Sequence, residues 1–298
     1  MTHLNASRVS VALPVGVLAV SFAAILIRLA AAPALIIASY RLTIGSAVMG
    51  AATGVAAWRS PAHASVTRTV TRGDLPLVAV AALSLALHFW LWTASLERTS
   101  VTSAAVLVTA NPLLVAVASR LFLGEPMQRK VLAGIAVAMT GGVVIAVGDA
   151  SREGELLGDL LAFLGAVSIV GYLLAGRRLR SHVPLLPYTS LVYGGTAVLL
   201  LAATLVAGEP FTGYTRGTYG AILLLALIPQ VVGHSLLNWS LAHVTGTVVA
   251  VAVMAEPVIA SLLAIPILDE TPNVTSVSGG LLILTGIYVT MRPSRERR

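Results

Sequence analysis

LWTASLERTSVTSAAVLVTANPLLVAVASRLFLGE, residues Leu91 to Glu125, aligns without a gap on LLNWSLAHVTGTVVAVAVMAEPVIASLLAIPILDE, residues Leu236 to Glu270, when the chain is shifted by 145 positions. Ser95 then falls on Ser240, Leu96 on Leu241, Pro112 on Pro257, Leu123 on Leu268 and Glu125 on Glu270. In the same frame Gly134 meets Gly279, Thr140 meets Thr285 and Gly141 meets Gly286. Chance matches are common between Ala- and Leu-rich segments, but coincident Pro, Glu and Gly positions in one frame indicate a duplication. The expected units are a first repeat over residues 1–150 and a second over 151–298.

What the repeated unit is follows from composition. Of 298 residues 57% are hydrophobic and only 10% charged, and the mean hydropathy is +0.92. Such values lie far outside the range of soluble domains and describe a membrane protein. A spanning helix needs about 20 mostly apolar residues. Ten such runs fit, at 9–28, 34–57, 74–95, 99–121, 129–148, 156–176, 185–207, 218–241, 244–268 and 274–291. The first reads as a span rather than a cleavable signal, since only Arg8 precedes it as a basic residue. The expected fold is an all-α integral membrane protein. Five spans per repeat is an odd number, so the second half enters the membrane inverted, an architecture typical of carriers with a site near the midplane between the halves.

Sorted onto the loops, 14 of the 19 Lys and Arg residues fall on one side and 4 on the other, with Arg41 inside the second span. By the positive-inside rule both termini are cytoplasmic. The basic pI, near 10.4, is thereby explained by topology and needs no nucleic-acid partner. Zero cysteines exclude disulfides, thiolate catalysis and Cys-based metal sites. The P-loop, H-E-x-x-H and G-x-S-x-G patterns are absent, so neither ATP-driven pumping of that type nor an intramembrane hydrolase is indicated. No cofactor and no metal are expected.

The informative residues are polar ones where lipid should be. An ionisable side chain at a bilayer centre costs roughly 2.5–3.5 kcal/mol on insertion scales and faces a cavity or a partner. Glu256 stands at the middle of the ninth run, before Pro257, which removes a backbone donor and loosens the helix. It reads as a counter-charge for an ammonium group or as a protonatable coupling site. Asn111, before Pro112, is its counterpart in the first repeat. Arg41, beside Tyr40 in the second run, suits a substrate carboxylate through its guanidinium fork; the alternative is snorkelling to the outer interface. Gln230, His234 and Asn238 recur every fourth residue and form one polar stripe. His88 and Trp92 lie on a similar stripe of the third run, with Tyr193 a further candidate for lining the cavity. Glu125 and Glu270 sit at helix ends and read as loop or capping contacts. The Gly134/Gly141 and Gly279/Gly286 spacing reads as helix packing, since small residues on one face let backbones approach.

Taken with the Pro112–Glu125 and Pro257–Glu270 segments and with RLFLGEPMQRKVLAGIAVAMTGGVVI, Arg120 to Ile145, and SYRLTIGSAVM, Ser39 to Met49, the chain resembles the drug/metabolite transporter superfamily, in its EamA-type branch. Within that branch it is most similar to amino-acid exporters of the YddG type. The resemblance implies ten helices around a central cavity and export of amino acids, aromatic ones included, or related metabolites across a bacterial inner membrane. The implied partners are the lipid bilayer and a small-molecule substrate, with protons as a candidate coupling ion. An acid and a base within the membrane suit a zwitterion. The rival reading is a proton-coupled exporter of drugs or lipophilic cations, which needs the acid alone.

Overall fold

The computed structural model describes residues 3–59, 70–98, 111–149, 156–268 and 274–291, and among them there are helices and turns but no strand. In chain order the helices are α1 His3–Val20, α2 Ala23–Ala30, α3 Ala34–Arg59 and α4 Leu75–Leu96. Then follow α5 Asn111–Ala118, α6 Arg129–Asp149, α7 Leu156–Leu179 and α8 Leu185–Ala207. The last five are α9 Arg216–Leu225, α10 Ser235–Ser240, α11 Gly246–Val253, α12 Glu256–Leu268 and α13 Val274–Met291. A 3-10 turn, Arg72–Asp74, leads into α4, and two π-helical segments, Ser119–Leu123 and Ala226–His234, continue α5 and α9. Much of the fourth expected span, and Glu270, lie outside the described residues.

Among the described residues, seven stretches are long and apolar enough to cross a bilayer, and Asn111–Leu123 and Val277–Thr290 are shorter apolar helices. Lipid explains the outward-facing side chains: Val206, Trp58 and Phe122 are 90%, 86% and 72% exposed, an arrangement that water would penalise and acyl chains do not.

Besides the span that ends in the π segment Ser119–Leu123, three expected spans are not continuous α-helices over the described residues. The first bends between α1 and α2, where the buried Ser21 donates both its backbone N–H (3.0 Å) and its hydroxyl (2.8 Å) to the Val17 carbonyl. Such back-bonding bends helices. The eighth widens into the π segment Ala226–His234 around Pro229. The ninth breaks at Met254–Ala255, whose N–H groups turn back to Val251 and Ala252 at 3.1 Å each. Pro257 has no N–H to offer the Val253 carbonyl, so α12 restarts at Glu256.

Packing obeys the repeat. Helix α4 lies along α7, and α1 lies along the π segment Ala226–His234 and α10; the 145-residue shift exchanges these two pairs. The two largest remaining pairs, α3 with α8 and α6 with α13, each join an element to its own counterpart. Between α6 and α13 the contact is made by glycines: Gly134 faces Gly286 and Thr290, and Gly141 faces Gly279 and Ile283, so the two helices run antiparallel. Hydrophobic burial does not drive helices together in lipid, and close van der Waals approach of small residues does.

Candidate functional site

Arg41 of α3 is only 2% exposed. Its Nε donates to Gln230 Oε1 at 2.9 Å, and its guanidinium carbon lies 4.0 Å above the centroid of Phe89 on α4. The side chain therefore points into the bundle rather than snorkelling outward. A planar cation on an aromatic face, with one edge held by an amide, keeps its other nitrogens oriented for an incoming oxyanion.

Gln230 reaches Arg41 because of two local features. It belongs to the π segment, where the widened turn re-aims the side chain. Opposite it stands Gly45, where a Cβ would come within 3.0 Å of Gln230 Cγ. Gln230 is fully buried, and its Nε2 has no hydrogen-bond partner among the described residues.

Aromatic rings extend the wall. His234, one turn beyond Gln230, meets Phe89 edge-on at 5.4 Å. His88 lies 5.2 Å from Phe89 and parallel to Trp92 at 6.3 Å. The 3.0 Å contact of His88 Nδ1 with the Gly165 carbonyl makes that nitrogen the protonated one. On the other flank the Tyr172 hydroxyl donates to Asn238 Oδ1 at 2.8 Å, and Asn238 Nδ2 donates to the Tyr193 hydroxyl at 3.2 Å. Arg180 fixes the end of this network, its Nε donating to the Asn238 carbonyl at 3.1 Å and its Nη1 to that of Val183.

Glu256 begins α12 at the helix break and is partly accessible. It is the carboxylate whose charge bears on Arg41, and no direct ion pair joins the two.

Most residues expected from sequence are thus brought together: Arg41, Gln230, His234, His88, Trp92, Asn238 and Tyr193 form one connected wall, with Glu256 in electrostatic reach. Asn111 opens α5 as Glu256 opens α12, and its Oδ1 is buried with no partner among the described residues. Tyr40 stands apart. Its hydroxyl donates to the Phe211 carbonyl at 2.7 Å and its ring packs on Phe211 and Tyr219. Phe89 and Gly45 were missed by sequence reasoning, because a Phe or a Gly in an apolar helix carries no signal of its own. Among the described residues no three His, Asp or Glu side chains converge as metal ligands.

A model of the EamA-like transporter family matches residues 9–147 and matches again at residues 156–292. The chain belongs to the EamA-like transporter family. It is thus a multi-pass membrane transporter and not an enzyme, and the family's double match coincides with the internal repeat. Among its relatives, an uncharacterized transporter of Bacillus subtilis, YdfC, is 24% identical over 63% of this chain, and the chain spans 61% of its length. A probable terminal-alkyne amino-acid exporter of Streptantibioticus cattleyicolor is 26% identical over 87% of this chain and 84% of its own. One solved crystal structure superposes with a TM-score of 0.80 at 22% identity, covering 96% of each chain; it supports the fold.

Proposed function

We propose that this EamA-like protein is a secondary transporter that exports small zwitterionic metabolites, amino acids and aromatic ones among them, across a bacterial inner membrane by alternating access. Ten spans in two inverted repeats, with both termini cytoplasmic, enclose the site. The carrying observation is Arg41, buried on Phe89, bound to the neutral Gln230 and separated from Glu256. The guanidinium takes the substrate carboxylate, Glu256 takes the ammonium group, and Trp92, His88 and His234 line the side-chain region. That a relative is named a probable amino-acid exporter supports this choice of substrate. A carrier of lipophilic cations gains nothing from a buried arginine, which would repel them.

The test is counterflow of labelled amino acids in proteoliposomes. Truncating one member of a desolvated charge interaction costs roughly 2 kcal/mol or more. Arg41→Gln and Glu256→Gln are each expected to slow exchange at limiting substrate by about 30-fold or more. Loss with Glu256→Gln alone would indicate a cation carrier, and parental rates in both variants would remove these residues from the site.

A further inference from the structure

Away from the central site, α4, α5 and α7 enclose a groove of about 570 Å³ on the outer wall of the bundle. Its floor is Val170 and Leu174 of α7, and its walls are Leu77 and Val80 of α4, Leu114 of α5 and Phe122 of the adjoining π segment. Helices α4 and α7 close tightly at Gly171, where a Cβ would lie 3.3 Å from Ser84 Cβ, and at Gly165, where one would lie 3.3 Å from the Trp92 backbone nitrogen. Towards the basic end of the bundle the helices part, leaving an apolar trough whose one charged lining residue is Arg178.

Several observations identify the occupant. Val80, Val167 and Phe122 are exposed on this face, so the trough opens to the bilayer. A hollow of this volume, within the roughly 300–1,000 Å³ of ordinary ligand sites, offers water almost no partner and fits an acyl chain. At its end Arg178 is exposed and has no ion pair among the described residues. Its neighbour Arg177 is taken by Glu125 at 3.0 Å and by the Leu241 carbonyl at 2.7 Å. Arg120, also exposed, lies on the same π segment as Phe122. Basic pockets between spanning helices bind anionic headgroups.

We infer that this groove is a binding site for one anionic glycerophospholipid, with an acyl chain along Val170 and Leu174 and the headgroup phosphate on Arg178. The site is independent of the transport reading and rests only on the chain lying in a bilayer.

Delipidated protein titrated with phosphatidylglycerol or phosphatidylethanolamine, with the first bound lipid counted by native mass spectrometry, tests this. The parent should prefer phosphatidylglycerol roughly fivefold, the size one basic side chain contributes near anionic headgroups. Arg178→Gln should erase the preference and Arg178→Lys retain it, while Val80→Trp, which fills the trough, should lower occupancy by both lipids. Both positions face outward, so the variants leave folding intact, which the thermal midpoint verifies. Equal affinity of the parent for the two lipids, a preference untouched by Arg178→Gln, or an occupancy untouched by Val80→Trp, would overturn the assignment.

Discussion

Arg41 was legible in the sequence because a guanidinium in a spanning helix is expensive and must have a reason to be there; what it touches was not legible. Its partners come from α4 and from a π segment 189 residues further on, and no local pattern links them. The polar stripe of Gln230, His234 and Asn238 was equally visible, since lipid cannot satisfy three such groups. Phe89 was invisible among the apolar residues of α4, yet it positions the guanidinium. Removing its π face while keeping apolar volume, as in Phe89→Leu, forfeits about 0.5–2 kcal/mol. Exchange at limiting substrate should therefore fall about 2- to 30-fold, with expression and thermal midpoint near the parent's. Phe89→Tyr, which keeps the face, should behave like the parent. If Phe89→Leu also does, Gln230 alone orients Arg41.

Hydropathy locates spanning elements well, because backbone polar groups in lipid must be satisfied within a helix. It does not report breaks. The interruption before Glu256 was signalled by Pro257, a residue with no N–H to donate, whereas the bend at Ser21 and the π turn holding Gln230 depend on side-chain back-bonding and on neighbouring helices. Glycines show how context decides an element's stability. Gly286 lies under α6, where a Cβ would fall 2.6 Å from both Ala138 Cβ and Ala138 N; backbone cannot give way as a side-chain tip can. Gly286→Val should force α6 and α13 apart at a cost of about 1–3 kcal/mol or more, seen as a lower thermal midpoint in detergent. Gly50, inside α3, would meet nothing within 4 Å. There Ala restricts the unfolded chain without strain, and Gly50→Ala should stabilise by about 0.4–1 kcal/mol. If both changes moved the midpoint alike, close approach of α6 and α13 would not be what those glycines provide.

For the molecule as a whole, the duplication is readable in one ungapped frame, but how the halves are tied together is not. Among the described residues, two contacts join them at the basic end: the ion pair of Arg177 with Glu125 at 3.0 Å, and the hydrogen bond of His182 Nε2 with Asp74 Oδ1 at 3.0 Å. Besides the Arg41–Gln230 bond, α3 makes neutral contacts across the halves, among them those of Tyr40 with the Phe211 carbonyl and of Ser39 with Thr204 at 2.7 Å each. If one half rocks against the other, these contacts must break for the basic end to open. Being part-exposed, they contribute about 1 kcal/mol between them, near fivefold in the ratio of open to closed molecules. Because the chain has no cysteine, a single Ser235→Cys reports on this directly: Ser235 is buried beside Met49 at the start of α10. An impermeant thiol reagent applied from the basic end should label it about fivefold faster once Glu125→Gln and Asp74→Asn are added. Saturating substrate should change the labelling rate as well, since it favours one state over the other. Unchanged labelling in the triple variant would make both pairs static surface contacts and move the moving boundary to the neutral contacts of α3.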